Sequence, residues 1–287
     1  MNNFYVIGDP IDHSLSPLLH RFFLERFNIA GEYQAKRVPV DELNAAIDFF
    51  IQQNISGINI TTPLKEKIVA FTDELTPEAE IIGSVNTIKF VNGKLIGHNT
   101  DAMGFQQSLL NSGYLLNEKQ ALVFGAGGAA RAIVVGLIRA SCQKILIVNR
   151  NFDKATELVT WLNNRFSNVH IEALGNEVQL VEAAIKNCHL IVNTTTVGMG
   201  SLSDQSVLTS AELLHDNILV YDLIYRPYRT KLIRQAEQKN IPWQNGIDML
   251  IYQGIESLKF WIDRELTLDQ TLYLELRHKL RREVCRE

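Results

Sequence analysis

Residues 122–130 read Leu-Val-Phe-Gly-Ala-Gly-Gly-Ala-Ala: an apolar strand enters Gly-x-Gly-x-x-Ala, and an apolar stretch of helical pattern follows over 129–140. Gly125 permits the tight turn, Gly127 lets the backbone approach a bound group, and Ala130 allows close packing of helix on sheet. A strand that feeds a helix in this way belongs to a β-α-β unit and hence to a parallel sheet. The chain after 121 keeps that rhythm. Strands are expected at 121–124, 144–148, 169–173, 189–192 and 218–223, with helical segments between the first four, including 129–140 and 153–164.

The turn and the helix start behind it form a ready anion site, because first-turn N–H groups are free and the dipole end is positive. A dinucleotide pyrophosphate over Gly125, Ala126, Gly127, Gly128 and Ala129 is therefore expected; glycine in a merely structural turn is the plainer alternative. The next strand ends Ile147-Val148-Asn149-Arg150-Asn151, with Lys154 one helical turn later. An NAD site commonly has a carboxylate about 20 residues past the motif, on the ribose 2′-hydroxyl. Here Asn149, Arg150, Asn151 and Lys154 stand at that end, and the cations suit a 2′-phosphate. NADP is preferred over NAD.

The first hundred residues differ. Strands are expected at 4–8, 33–38 and 57–60, and helices from Ser16 with Pro17 inside the first turn, over 41–53, and from Pro63, carrying Lys65, Ile68 and Val69. Asn92-Gly93, between strand-like 87–91 and 94–97, signals a two-residue hairpin, so this half holds at least one antiparallel edge. From about Gly246 two apolar-periodic helices return to the first domain. The expected division is a first domain over 1–101, completed by 247–287, and a dinucleotide domain over 102–246, with a bridging helix near 101–113.

Composition sets the outer limits. The 287 residues are 46% apolar and 21% charged, ordinary for a globular chain of about two domains. A net charge of −4 argues against an electrostatically driven nucleic-acid binder. Three cysteines without metal-ligand spacing suit a reduced compartment and no zinc. No apolar run approaches the roughly 20 residues of a spanning helix, and no signal-peptide pattern opens the chain. A cytoplasmic protein is expected.

Four further segments sit at strand ends or helix starts: Gly8 to Pro17, Gly57 to Lys65, Ser84-Val85-Asn86-Thr87 and Gly97-His98-Asn99-Thr100-Asp101. Singly, each has a plain reading as cap, turn or surface charge. In this order and spacing, with the glycine turn, Asn149-Arg150, 193–199, 221–227 and 245–253, they resemble the shikimate dehydrogenase family over almost the whole chain.

The resemblance implies an N-terminal mixed α/β substrate domain and a Rossmann-like parallel-sheet NADP domain. It also implies NADPH-dependent reduction of 3-dehydroshikimate to shikimate, a step toward chorismate and aromatic amino acids. The family pattern puts the substrate carboxylate on Ser14 and Ser16, and further substrate contacts on Thr61, Asn86, Asp101, Tyr225 and Gln253. Lys65 and Asp101 match its catalytic pair, and Leu223 and Gly246 join the cofactor positions. Lys65 in a first helical turn would lie where the dipole disfavours extra positive charge, a setting that favours acid–base work. The sequence departs from the pattern at Arg21, Asn151 and Lys154 and has a longer C-terminal helix, with Leu272, Leu276 and Leu280 on one face. A small-molecule substrate is the expected partner, and a homodimer is compatible with the reading. The alternatives are a quinate/shikimate dehydrogenase, disfavoured by Ser16 and Arg150, and a nucleotide-sensing protein, disfavoured by the Lys65–Asp101 pair.

Overall fold

The computed structural model describes residues 2–286. Ten helices and twelve strands are assigned among them, and the chain divides into two compact units. One unit runs to Gly104 and resumes over Leu250–Leu280; the other spans Phe105–Met249 and takes the chain from Arg281 on.

The first unit contains β1 (Asn2–Gly8), α1 (Ser16–Arg26), β2 (Gly31–Arg37), α2 (Leu43–Gln52), β3 (Gly57–Ile60) and β4 (Glu74–Leu75). It continues through α3 (Pro77–Ile82), β5 (Thr87–Val91), β6 (Lys94–His98) and the start of α4 (Asp101–Asn111). Its sheet runs β2-β1-β3-β5-β6-β4. The first three strands are parallel, and β5 joins antiparallel to both β3 and β6. Asn92 and Gly93, both at positive φ, close the β5–β6 hairpin as a primed two-residue turn requires. The buried residues of α2, Leu43, Ala46, Ile47 and Phe50, recur at helical spacing and pack with Ile7, Ile58 and Ile60 from the sheet.

The second unit contains β7 (Gln120–Phe124), α5 (Gly128–Arg139), β8 (Lys144–Val148), α6 (Phe152–Asn163) and β9 (His170–Leu174). Then come α7 (Val178–Ile185), β10 (Leu190–Asn193), β11 (Leu219–Asp222), α8 (Lys231–Gln238) and β12 (Trp243–Asn245). The sheet is wholly parallel, in the order β12-β11-β10-β7-β8-β9. Strand order reverses between β10 and β7, which opens a crevice at their carboxyl ends. The short β12 has no counterpart among the five strands expected from the sequence.

Two helices end the chain: α9 (Ile247–Ile262) and α10 (Gln270–Val284). Within the first unit, Trp261 of α9 stacks on Phe4 with ring centroids 4.6 Å apart and donates to the Ile88 carbonyl at 2.9 Å. Along α10 the buried stripe is Tyr273, Leu276, Leu280 and Val284, with Leu272 only half-buried, so the buried face is rotated from the expected leucine ladder. The expected first-domain segment 247–287 differs at both ends, since 247–249 and the chain from Arg281 group with the second unit.

One expected helix is absent. Lys65 lies in a turn; only a short 3₁₀ segment, Lys67–Phe71, follows it, and the Thr62–Pro63 peptide is cis. The helix-dipole effect on Lys65 therefore has no source. No helix among the described residues is long and apolar enough to cross a membrane.

Candidate active site

In the first unit the end of β3, the residue before β5 and the start of α4 converge. Lys65 Nζ lies 2.5 Å from Asp101 Oδ2, and both side chains are largely buried. The second carboxylate oxygen, Oδ1, accepts from Asn86 Nδ2 at 2.9 Å. Asn86 Nδ2 also donates to Thr100 Oγ1 at 2.9 Å, and Asn86 Oδ1 accepts from the Thr100 N–H at 2.9 Å. The backbone fixes this cluster from both sides. Asn99 Oδ1 accepts from the Asp101 N–H at 3.0 Å, and the Lys65 carbonyl accepts from the Val85 N–H at 2.9 Å. Gln253 of α9 brings Oε1 to 3.4 Å from both Asn86 Nδ2 and Thr100 Oγ1. An ammonium is thus held on a carboxylate whose other oxygen is already bonded. That arrangement can stabilise a developing oxyanion and exchange a proton with it.

Ser14 and Ser16 flank the start of α1. Ser14 Oγ accepts from the Ser16 N–H at 3.3 Å, which leaves its proton free to donate. The Ser16 hydroxyl makes no hydrogen bond among the described residues although the residue is buried. Thr61, at the end of β3, ties its N–H to the Ile7 carbonyl and is half-buried. These three make no hydrogen bond to the Lys65 cluster among the described residues.

In the second unit, Gly125 has φ +115°, and a β-carbon there would lie 2.3 Å from Thr194 Oγ1. Only glycine fits that turn. Gly127 stands at the N-cap of α5, which therefore has no side-chain cap, and no acidic residue lies in the first turn. By contrast, α6 is capped by its own side chain: Asn151 Oδ1 accepts from the Lys154 N–H at 3.3 Å. Asn149 Nδ2 donates to the Asn151 carbonyl at 2.8 Å. Arg150 is exposed, and its guanidinium has no hydrogen bond or ion pair among the described residues. A cavity of about 370 Å³ opens at the ends of β7, β8 and β10, with Phe124, Asn149, Arg150, Thr195 and Thr196 in its wall.

Beside it, buried Asp222 accepts from Thr230 Oγ1 at 2.7 Å, Asn193 Nδ2 at 3.0 Å and the Ile224 N–H at 3.1 Å. Burial outweighs these bonds and pushes its carboxyl up to about 6. This knot shapes the segment that carries Leu223 and half-buried Tyr225. A β-carbon at Gly246 would sit 2.0 Å from the Leu223 carbonyl oxygen, so two expected cofactor positions are in backbone contact.

The structure thus joins Lys65, Asn86, Asp101 and Gln253 in one unit, and the glycine turn, Asn149 and Arg150 in the other. It also shows participants to which the sequence reading gave no individual role: Asn59, Thr87 and Thr100 in the first unit and Asn193 and Asp222 in the second, all within the quoted segments, and Ser257, outside them. Ser257 carried a signal, being a small polar residue one turn after Gln253 and one turn before Trp261 on the same helix face, with all three buried.

The chain resembles known proteins over most of its length. Residues 6–88 match the family described as shikimate dehydrogenase substrate binding domain, and residues 108–213 that described as shikimate/quinate 5-dehydrogenase. A shikimate dehydrogenase (NADP(+)) of Alkaliphilus oremlandii is 36% identical, with 92% of each chain covered. One from Bacillus cereus is 39% identical over 95% of this chain and 96% of its own. A Thermus thermophilus shikimate 5-dehydrogenase, solved in complex with NADP(H) and shikimate, superposes with a TM-score of 0.84 at 35% identity. It covers 98% of this chain and all of its own. The chain belongs to the shikimate dehydrogenase family.

Proposed function

We propose that this protein catalyses the NADPH-dependent, reversible reduction of 3-dehydroshikimate to shikimate. The observation that carries the reading is the buried Lys65–Asp101 contact, made across 36 residues of sequence and completed by Asn86. The Alkaliphilus and Bacillus relatives support it by their NADP(+) designation.

The second unit fits the cofactor: a turn that admits only glycine, a helix start without a side-chain cap, a cavity and a free guanidinium stand together. Gly125 to Ala129 would take the pyrophosphate, Asn149, Arg150 and Lys154 the 2′-phosphate side, and Leu223 with Gly246 the remainder. Asn151 serves by capping α6. Bound NADPH supplies the hydride for the ketone carbon.

The side chains expected on the substrate would do the rest. Ser14 and Ser16 donate to the substrate carboxylate; Thr61, Asn86, Tyr225 and Gln253 take its hydroxyls. Lys65 meets the developing alkoxide with its ammonium and gives it a proton, and the amine regains that proton from solvent. Asp101 holds the ammonium in place, and Asn86 in turn holds Asp101. These are hydroxyl, amide and charged groups, which suit a polyhydroxy acid better than apolar ones do. The same reading makes the protein a cytoplasmic enzyme with a small-molecule partner and no use for nucleic acid or a membrane; a homodimer is compatible with it.

The test is oxidation of shikimate and of quinate, each with NADP⁺ and with NAD⁺. Shikimate with NADP⁺ should give the highest kcat/KM. Preference for quinate would establish the quinate/shikimate alternative, and cofactor binding with no turnover of either would point to a sensor.

A further inference from the structure

Ser257 lies on α9 one turn beyond Gln253, fully buried. Its hydroxyl touches four groups. It donates to the Gln253 carbonyl at 3.0 Å, accepts from Asn59 Nδ2 at 3.0 Å, and lies 2.8 Å from Thr87 Oγ1 and 3.2 Å from Thr100 Oγ1. Three of these partners neighbour a proposed site residue in sequence: Asn59 stands two before Thr61, Thr87 follows Asn86, and Thr100 precedes Asp101. The fourth is Gln253 itself.

Counting protons orders the network. With the Ser257 proton on the helix carbonyl, Oγ is purely an acceptor with two lone pairs. Asn59 takes one. Thr87 and Thr100 compete for the other: Thr87 Oγ1 reaches Ser257 Oγ at 2.8 Å and Asn86 Oδ1 at 2.9 Å. Thr100 Oγ1 already accepts from Asn86 Nδ2, and its own proton has three possible acceptors: Ser257 Oγ at 3.2 Å, Asn86 Oδ1 at 3.3 Å and Gln253 Oε1 at 3.4 Å. Asn86 Oδ1 already accepts from the Thr100 N–H and has one lone pair left, so Ser257 and Asn86 between them take the two threonine protons and leave Gln253 Oε1 open. Gln253 Nε2 meanwhile holds the Leu250 carbonyl at 3.0 Å, which steadies the amide.

We propose that Ser257 is a positioning residue for substrate binding: it takes one of the two threonine protons, leaves Asn86 Oδ1 for the other, and so keeps Gln253 Oε1 free for a substrate hydroxyl. This rests on the proposed shikimate activity. In Ser257→Ala the Thr100 hydroxyl has only Asn86 and Gln253 to bond, and the substrate must compete for Gln253.

The experiment is steady-state kinetics of shikimate oxidation by NADP⁺ in the full chain. Ser257→Ala should raise KM for shikimate about five- to twentyfold, with kcat and KM for NADP⁺ within twofold of the unsubstituted protein. In a Gln253→Ala background the same change should shift KM by less than twofold, because the amide it protects is gone. Ser257→Cys, close in volume but a poor acceptor, should behave like Ala. The inference falls if Ser257→Ala leaves KM for shikimate unchanged. It falls equally if the two substitutions multiply, if kcat and NADP⁺ binding decline in step with thermal stability, or if Cys restores KM. Absence of shikimate turnover in the unsubstituted protein would instead remove the activity on which the inference rests.

Discussion

The two candidate half-sites are prepared in opposite ways. In the first unit the Asp101 carboxylate and Asn86 amide are bonded on all sides by protein: Lys65, Thr100 and the Asn99 cap leave little to rearrange. In the second, the start of α5 has no side-chain cap and Arg150 has no partner among the described residues. Burial explains the difference. Polar groups shut away from water must be satisfied by the fold itself, whereas groups at the surface can wait for a ligand with water in its place. The first arrangement presents fixed charge to a reacting centre; the second offers affinity to an incoming phosphate. Damage to the Lys65–Asp101 pair should therefore show in turnover, and damage to the second in binding.

Lys65→Ala offers the largest break in that comparison. Turnover should fall by about 10²–10⁴-fold, the usual worth of a positioned acid or base, with both Michaelis constants changed only modestly. Near-normal turnover would strip Lys65 of its role. Arg150→Ala should raise KM for NADP⁺ by about ten- to a hundredfold, as expected for lost charge-assisted bonds to phosphate, while KM for NAD⁺ barely moves. An equal loss with both cofactors would mean that Arg150 does not meet the 2′-phosphate. Ser14→Ala or Ser16→Ala should weaken shikimate binding by about five- to a hundredfold, with NADP⁺ binding unchanged. Loss of fold with substrate affinity intact in the folded fraction would make the serines helix-start residues only.

The smallest expected effect is a contrast in acid response. Burial pushes His20, stacked on Tyr33 in the first unit, down to about 3 from 6.5. The unfolded chain then binds the extra proton, so stability is full above about 6.5 and declines as pH falls toward 3. Asp222 in the second unit is the reverse: its carboxyl is raised from 3.8 to about 6, so its share of stability is full below 3.8 and declines as pH rises through 6. In thermal melts, the unsubstituted protein should lose ground to His20→Phe as pH falls below 6, and to Asp222→Asn as pH rises from 4 to 6. The differences should be a few degrees. Parallel curves for either variant would show that the group is not held as its burial implies.

How much the sequence revealed also divides by region. The glycine turn, the hairpin at Asn92-Gly93 and the long parallel strands were legible because local sterics decide them: positive φ, close backbone approach and apolar runs. Lys65 was misread because Pro63 suits a helix start as well as a tight turn, and the choice lies with contacts from β1 and from Ser84–Val85, distant in sequence. The hydroxyl network around Ser257 was invisible for the same reason. A buried serine in a helix reads like any small residue until three other segments are laid against it. Strand β12 was too short, and too polar in Trp-Gln-Asn, for a periodic signal.

The central claim is that Lys65 and Asp101 work as one unit. It is tested most directly by turnover of shikimate with NADP⁺ in Lys65→Ala, Asp101→Asn and the double variant. If the carboxylate acts by holding the ammonium, each single change should cost heavily and the double should lose far less than the product of the two, since residues acting together are strongly non-additive. A double variant whose loss equals that product would contradict the claim, and would show two side chains acting separately in spite of the 2.5 Å between them.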